Sequence, residues 1–234
     1  MTGGRWLVAA LALLAACSRP AANAADQDRT DLYVITSLPL FFGEGFGLGF
    51  VKPDIVRVLE KQHRLVPADV PSQLPPRATL LMAQPRALPA EELVALDQWV
   101  REGGRLVLLA DPMLEWPSER PIGDRLRPPM MFADTGLLAH WGLRLDAPDR
   151  RGLTYSPSDV DPVALLSPGT LVKQGEGCAI EEGGWMAICA VGKGKATIVA
   201  DADFLNVEAL LKAGASPANG TRLIEQLVRP APGQ

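Results

Sequence analysis

The chain has 234 residues, 47% hydrophobic and 21% charged, enough to bury one sizeable core or one core plus a small subdomain. A formal charge of −4 offers no basic surface for a phosphate backbone, so nucleic acid is not expected as a partner. The two histidines, His63 and His140, are far apart in the chain; the usual histidine-rich zinc spacings are therefore absent, and no cofactor and no histidine-bound metal is expected.

The amino terminus carries the most specific signal. Arg5 supplies a positive flank, Leu7 to Ala16 is an apolar run of signal-peptide length, and Leu14-Ala15-Ala16-Cys17 resembles the lipobox of bacterial lipoproteins. About ten apolar residues cannot span a bilayer, which needs roughly twenty. The resemblance implies a signal peptide over 1–16 and an acylated Cys17. Ser18 follows it, pointing to the outer membrane, facing the periplasm. Residues 18–30 are small and polar without an apolar period, as in a flexible tether.

A single α/β domain is expected over 31–230. Leu32 to Ser37 reads as its first strand, placing Thr36 and Ser37 at the carboxyl edge. Leu38 to Pro53 interleaves four glycines with four phenylalanines and contains Glu44 as its one acidic residue. It lacks a phosphate-loop pattern, which excludes a nucleotide site there. Two readings stay open: a loop packing its aromatics on the domain, or a lid that leaves them partly exposed. Asp54 to Gln62 has a short amphipathic period, and His63 to Pro67 a strand, with His63 expected at the surface.

Ala78 to Pro112 reads as one βαβ unit. An apolar strand ends at Gln84-Pro85, Pro89 opens a helix in which Leu93, Leu96 and Val100 recur, Gly103-Gly104 stops it, and Arg105 to Ala110 forms a strand buried on both faces before Asp111. Such a crossover makes the strands parallel, and ligands of open parallel sheets bind beyond the carboxyl ends, where Gln84 and Asp111 fall. Met113 to Phe132 is a long proline-rich loop from the same edge, expected to face the phenylalanine-glycine loop across one cleft. Asp134 is expected to cap a helix through Trp141, with a short strand at Leu143 to Leu145. Between 146 and 177 only short strands near Leu153 and Leu171 are expected.

In CAIEEGGWMAIC, Gly183-Gly184 is a two-residue hairpin turn, and counting outward sets Cys178 opposite Cys189. That separation suits a disulfide in an envelope compartment; the alternative is two buried thiols. Ala196 to Ala200 is another buried strand, delivering Asp201, Asp203 and Asn206 to the same edge. Asn219 or Thr221 is expected to cap a last helix through Val228.

The runs LDQWVREGGRLVLLADP and GKATIVADADFLN resemble the auxiliary, periplasm-facing domains of gliding-motility-type ABC transport systems. The resemblance spans roughly Leu32 to Val228. It implies a three-layer α/β fold with a mostly parallel sheet, flavodoxin-like or class I glutamine-amidotransferase-like, with an antiparallel hairpin near the carboxyl terminus. In place of the amidotransferase cysteine, the chain has Gln84-Pro85 or Asp111-Pro112. The Gly-Asp-Ser-Asp common in related domains has Ala200 and Ala202 in place of its glycine and serine.

Two functions follow. One is a non-catalytic periplasmic lipoprotein, held to the membrane through Cys17, that serves an ABC-type transport system or another envelope protein by binding at Ser37, Glu44, Gln84, Asp111, Asp201, Asp203 and Asn206. The other is a carboxylate- or metal-dependent envelope hydrolase using Asp111, Asp201 and Asp203.

Overall fold

A computed structural model describes residues 29–42 and 51–230. The expected signal segment 1–16, Cys17, the tether up to residue 28, and Glu44 lie outside the described residues. No helix among the described residues is long and apolar enough to cross a membrane.

Eleven strands form among the described residues: β1 (Thr30–Thr36), β2 (His63–Pro67), β3 (Thr79–Ala83), β4 (Arg105–Leu109), β5 (Leu143–Asp146), β6 (Leu153–Tyr155), β7 (Ala164–Leu166), β8 (Thr170–Lys173), β9 (Cys178–Ile180), β10 (Met186–Val191) and β11 (Gly194–Val199). Seven build one sheet in the order β2-β1-β3-β4-β11-β10-β9. The first five of that order run parallel, and β10 and β9 add an antiparallel edge. The fold is mixed α/β with a mostly parallel central sheet. Two antiparallel pairs, β5 with β8 and β6 with β7, lie outside it.

The helices are α1 (Asp54–Leu59), α2 (Ala90–Arg101), α3 (Leu137–His140), α4 (Val207–Lys212) and α5 (Ala218–Val228). Strand side chains alternate, so the sheet feeds two cores. Leu80, Met82, Leu106 and Leu108 pack with Leu96, Trp99 and Val100 of α2. Leu81, Ala83, Val107 and Leu109 pack with Ile55, Val56 and Leu59 of α1 and Ile224 and Val228 of α5. Burying each such aliphatic side chain is worth about 1.5–3 kcal/mol. The βαβ unit closes as its sequence expects: Gly103 turns the chain at φ +115°, and the Trp99 ring lies where Gly104 has no Cβ.

The hairpin has the expected register, with Ile180 opposite Ala187 and Cys178 opposite Cys189. The turn itself differs from the expected two-residue form: Glu182–Gly184 makes a single tight helical turn, Gly184 N donating to Glu181 O at 2.9 Å, and the strands close at Glu181 N to Met186 O at 2.9 Å, with Gly183 and Gly184 both at positive φ. Cys178 and Cys189 are joined by a disulfide.

Four other local expectations are corrected. His63 is buried, because β1 begins at Thr30, two residues earlier than its apolar run; this sets Thr30 beside His63 in register, and Thr30 Oγ1 lies 2.9 Å from His63 Nδ1. Burial lowers the His63 pKa. The helix expected from Asp134 is the single turn α3, since Gly136 precedes it at φ +98°; Asp134 Oδ1 accepts from Gly136 N at 3.0 Å and, at 3.4 Å, from Leu138 N in that turn. Neither Asn219 nor Thr221 caps the last helix, which starts after Pro217; Asn219 Nδ2 donates to Pro162 O at 2.9 Å. Finally, β7 was not legible, being three aliphatic residues without a period.

Candidate functional site

All the candidate residues within the described chain gather at the carboxyl edge of the parallel strands. β1 delivers Ser37, β3 delivers Gln84, β4 delivers Asp111, and β11 delivers Asp201, Asp203 and Asn206. Gln84, Asp111, Asp201 and Asp203 are fully buried.

Gln84 stands at φ +45°, in the left-handed region that costs a side-chain-bearing residue energy. Its amide repays that. Nε2 donates to Asp111 O at 3.0 Å and to Pro129 O at 3.1 Å, while Oε1 accepts from Asp111 N at 3.0 Å. The side chain thereby continues the β3–β4 pairing one residue further and ties down the returning end of the long loop. Ser37 Oγ donates to Gln84 O. The Gln84 amide is thus occupied with backbone groups.

The three aspartates form one cluster and hold three loops. Asp111 accepts from Met113 N at 2.8 Å and Ala202 N at 2.9 Å. Asp201 accepts from Leu166 N at 2.8 Å and Phe204 N at 2.9 Å. Asp203 Oδ2 accepts from Glu115 N at 2.6 Å, and its Oδ1 is buried without a hydrogen bond. Burial, and then the neighbouring Asp111, push the Asp203 pKa up to about 8. Burial raises that of Asp111 to about 6 against the pull of the amides of Ala202 and Met113. Asp201 is raised well above the carboxylate range by burial and by Asp111 and Asp203. The direction of the shift favours the protonated form of Asp203, whose side chain bonds that of Asp111. Among the described residues no group of three or more His, Cys, Asp or Glu side chains is arranged to hold a metal ion: the aspartate oxygens turn toward backbone amides.

Asn206 caps α4, its Oδ1 accepting from Ala209 N at 3.0 Å. It also lines a cleft of about 500 Å³ with Trp116, Pro39 and Lys52. The charged groups there are paired: Lys52 with Glu60 at 2.7 Å, Arg57 with Asp54 at 2.5 Å and Lys212 with Glu208 at 2.7 Å.

A second cleft, of about 270 Å³, lies over the ends of β1, β2 and β3. Thr36, Ser37, Leu38, Phe41 and Phe42 form one wall, and Arg120, Arg125 and Leu126 of the long loop another, with Asp69 and Arg86 between. The two loops thus share a cleft, as their common edge implies. The arginines were not singled out in the sequence. The available signal was three arginines within one loop, Arg120, Arg125 and Arg127, leaving the same edge as Arg86.

Fold and edge together define a mixed α/β domain whose strand-end loops enclose clefts above a buried carboxyl cluster. The chain belongs to the family described as Domain of unknown function (DUF4350), matched over residues 54–227. No curated protein matches it. Among solved structures it is similar to an exo-beta-1,4-mannosidase from Opitutaceae bacterium strain TAV5, with 15% identity and a TM-score of 0.54, covering 87% of this chain and 37% of the mannosidase. It is also similar to a beta-galactosidase from Rahnella sp. R3, with 12% identity and a TM-score of 0.45 over 80% of this chain and 32% of that one. A cytoplasmic protein from Salmonella typhimurium LT2 has 10% identity and a TM-score of 0.42, covering 86% of this chain and 100% of that one. The chain spans little more than a third of the mannosidase, and at such identities the likeness concerns the fold alone.

Proposed function

We propose that the protein is a non-catalytic, lipid-anchored component of the bacterial envelope, whose α/β domain binds at its carboxyl edge in the service of an ABC-type transport system. The observation that carries the non-catalytic reading is the set of hydrogen bonds at Asp111, Asp201 and Asp203. These carboxyls are fully buried and hold the backbone amides of Met113, Ala202, Leu166, Phe204 and Glu115, so they brace the loops that frame the clefts. Lipid anchoring rests on the run before Cys17, and the transport link on the resemblance of the strand motifs.

The finer fold is flavodoxin-like, or class I glutamine-amidotransferase-like. Its support is the order β2-β1-β3-β4-β11 of the parallel strands, the 2-1-3-4-5 succession of a flavodoxin-like sheet. In that arrangement ligands bind where strand order reverses, between β1 and β3, and the arginine-lined cleft lies over those ends.

One observation favours an envelope hydrolase: carboxyls at about 6 and about 8 straddle neutral pH, as acid and base groups often do. Radiolabelled palmitate incorporation, with copurification of permease subunits from envelope membranes, tests the main reading. Label on the wild type and none on Cys17→Ala, with the permease retained, supports it. An unlabelled protein, or hydrolysis of an envelope ester abolished by Asp203→Asn, overturns it.

A further inference from the structure

We propose that the cleft between the loop after β1 and the loop after β4 binds a phosphate group carried on a small, partly apolar body, with Arg86 and Arg125 as its ligands. This deepens the binding reading above and rests on it. Arg86, Arg120 and Arg125 line the cleft from two different loops, with Asp69 as the acidic residue among its walls.

The three arginines are not equivalent. Arg120 Nη1 lies 3.3 Å from Asp124 Oδ2, so part of its charge is answered by its own loop. Arg86 uses Nη2 to hold Arg125 O at 2.5 Å and Arg127 O at 2.6 Å, fixing the loop that carries the other guanidinium. Arg125 makes no ion pair or side-chain hydrogen bond with another described residue, and it is exposed. The polar side chains of the opposite wall are committed: Thr36 Oγ1 donates to Ala83 O at 2.8 Å and Ser37 Oγ to Gln84 O. The donors left for a ligand are therefore guanidinium groups.

A carboxylate has two oxygens, which one guanidinium fork fills. The fork of Arg125 and the remaining Nη1 and Nε donors of Arg86, whose Nη2 is taken by the two carbonyls, reach in from separate loops and match a group with three terminal oxygens, such as a phosphate ester. Phe42 and Leu126 also line the cleft and are 80% and 61% exposed, giving the ester's body an apolar wall. A volume of about 270 Å³ equals about nine waters at roughly 30 Å³ each, room for a phosphate and a glycerol-sized group but not for a dinucleotide. The same phosphate could be presented by a free ester or by a lipid headgroup.

The test is calorimetric titration of the full chain in zwitterionic detergent with sn-glycerol 3-phosphate and, separately, with dihexanoylphosphatidic acid. Binding of either, weakened at least tenfold in Arg125→Gln and strengthened in Asp69→Asn, is the expected result. Binding of glycerol phosphate assigns a free ester, and binding of the lipid alone assigns a headgroup. Arg125 is exposed and bonds no other side chain, so Arg125→Gln should unfold at the wild-type temperature. Arg86→Gln, which also frees the loop, should weaken binding further. No binding of either probe, or binding unchanged in Arg125→Gln, overturns the inference. If palmitate labelling and permease copurification survive that outcome, the failure belongs to the phosphate site and not to the envelope reading.

Discussion

The side-chain amide of Gln84 and the backbone of Asp111 are joined reciprocally, Nε2 to carbonyl and N–H to Oε1, both at 3.0 Å. The pair extends the junction of β3 and β4 beyond the end of the ladder with a side chain in place of a strand. Truncating it leaves the buried Asp111 amide without a partner, at about 1–3 kcal/mol, and removes the Gln84 bonds to Pro129 O and Asp111 O, the latter keeping Phe132 N at 2.6 Å. Gln84→Ala should lower stability by about 3 kcal/mol in urea unfolding. Gln84→Gly loses the same bonds but accepts φ +45° without strain, so it should be about 1 kcal/mol less damaging than the alanine variant.

The Asp111 and Asp203 pair gives a pH dependence whose sign follows from its direction. Both folded pKa values, about 6 and about 8, lie above the ordinary 3.8, so between roughly pH 4 and 8 the native state binds more protons than the unfolded chain. Stability from this pair is complete below about pH 4 and is lost as pH rises through 6 and then 8. His63 acts oppositely: its pKa is lowered by burial, so its contribution is present above about pH 6.5 and lost on acidification. Asp203→Asn keeps an acceptor for Glu115 N and gives Asp111 a permanent N–H donor. Its melting temperature should exceed that of the wild type at pH 8, with the gap narrowing as pH falls and closing at about pH 4. A gap that widens toward acid would contradict the shared proton.

Cys178 and Cys189 close a short loop, with a sequence separation of 11. Such a crosslink stabilises chiefly by restricting the unfolded chain, by about 2–3 kcal/mol. Cys178→Ser with Cys189→Ser, or reduction with a thiol, should lower the urea midpoint without changing phosphate binding, because β9 and β10 lie at the far edge of the sheet from β1.

Gly194 opens β11 directly under the end of α2, where an added Cβ would overlap the carbonyl oxygens of Val100 and Gly104. Gly194→Ala should cost about 3 kcal/mol, since backbone and not a flexible side chain must yield. Gly123→Ala, with open space around it, is the contrasting control for crowding; its φ of +91° leaves only backbone strain of about 1–2 kcal/mol.

The elements legible in the sequence were those whose cause is local. The unit from β3 to β4 shows its helix start at Pro89 and its stop at Gly103, and the central place of Gly183-Gly184 between the two cysteines sets Cys178 across from Cys189, although the connection itself is a longer loop than two residues. The edge residues Gln84, Asp111, Asp201 and Asp203 could be placed by strand direction alone. Their partners could not: Asp201 holds Leu166, 35 positions away, and Asp203 holds Glu115, 88 positions away. The burial of His63 depends on where β1 starts, which the polar pair Thr30-Asp31 disguises. The arginine cleft needs Arg86 and Arg125 to meet across 39 positions, and no periodicity reports such a meeting.

The most direct test of the account is complementation of a chromosomal deletion by full-length variants, scored on the deletion's envelope phenotype at matched protein levels. If the buried carboxyls brace loops and the binding edge acts through its guanidinium groups, Asp203→Asn restores the phenotype and Arg125→Gln does not. Restoration by Arg125→Gln together with failure of a folded Asp203→Asn would place the function in the carboxyl cluster and contradict the account.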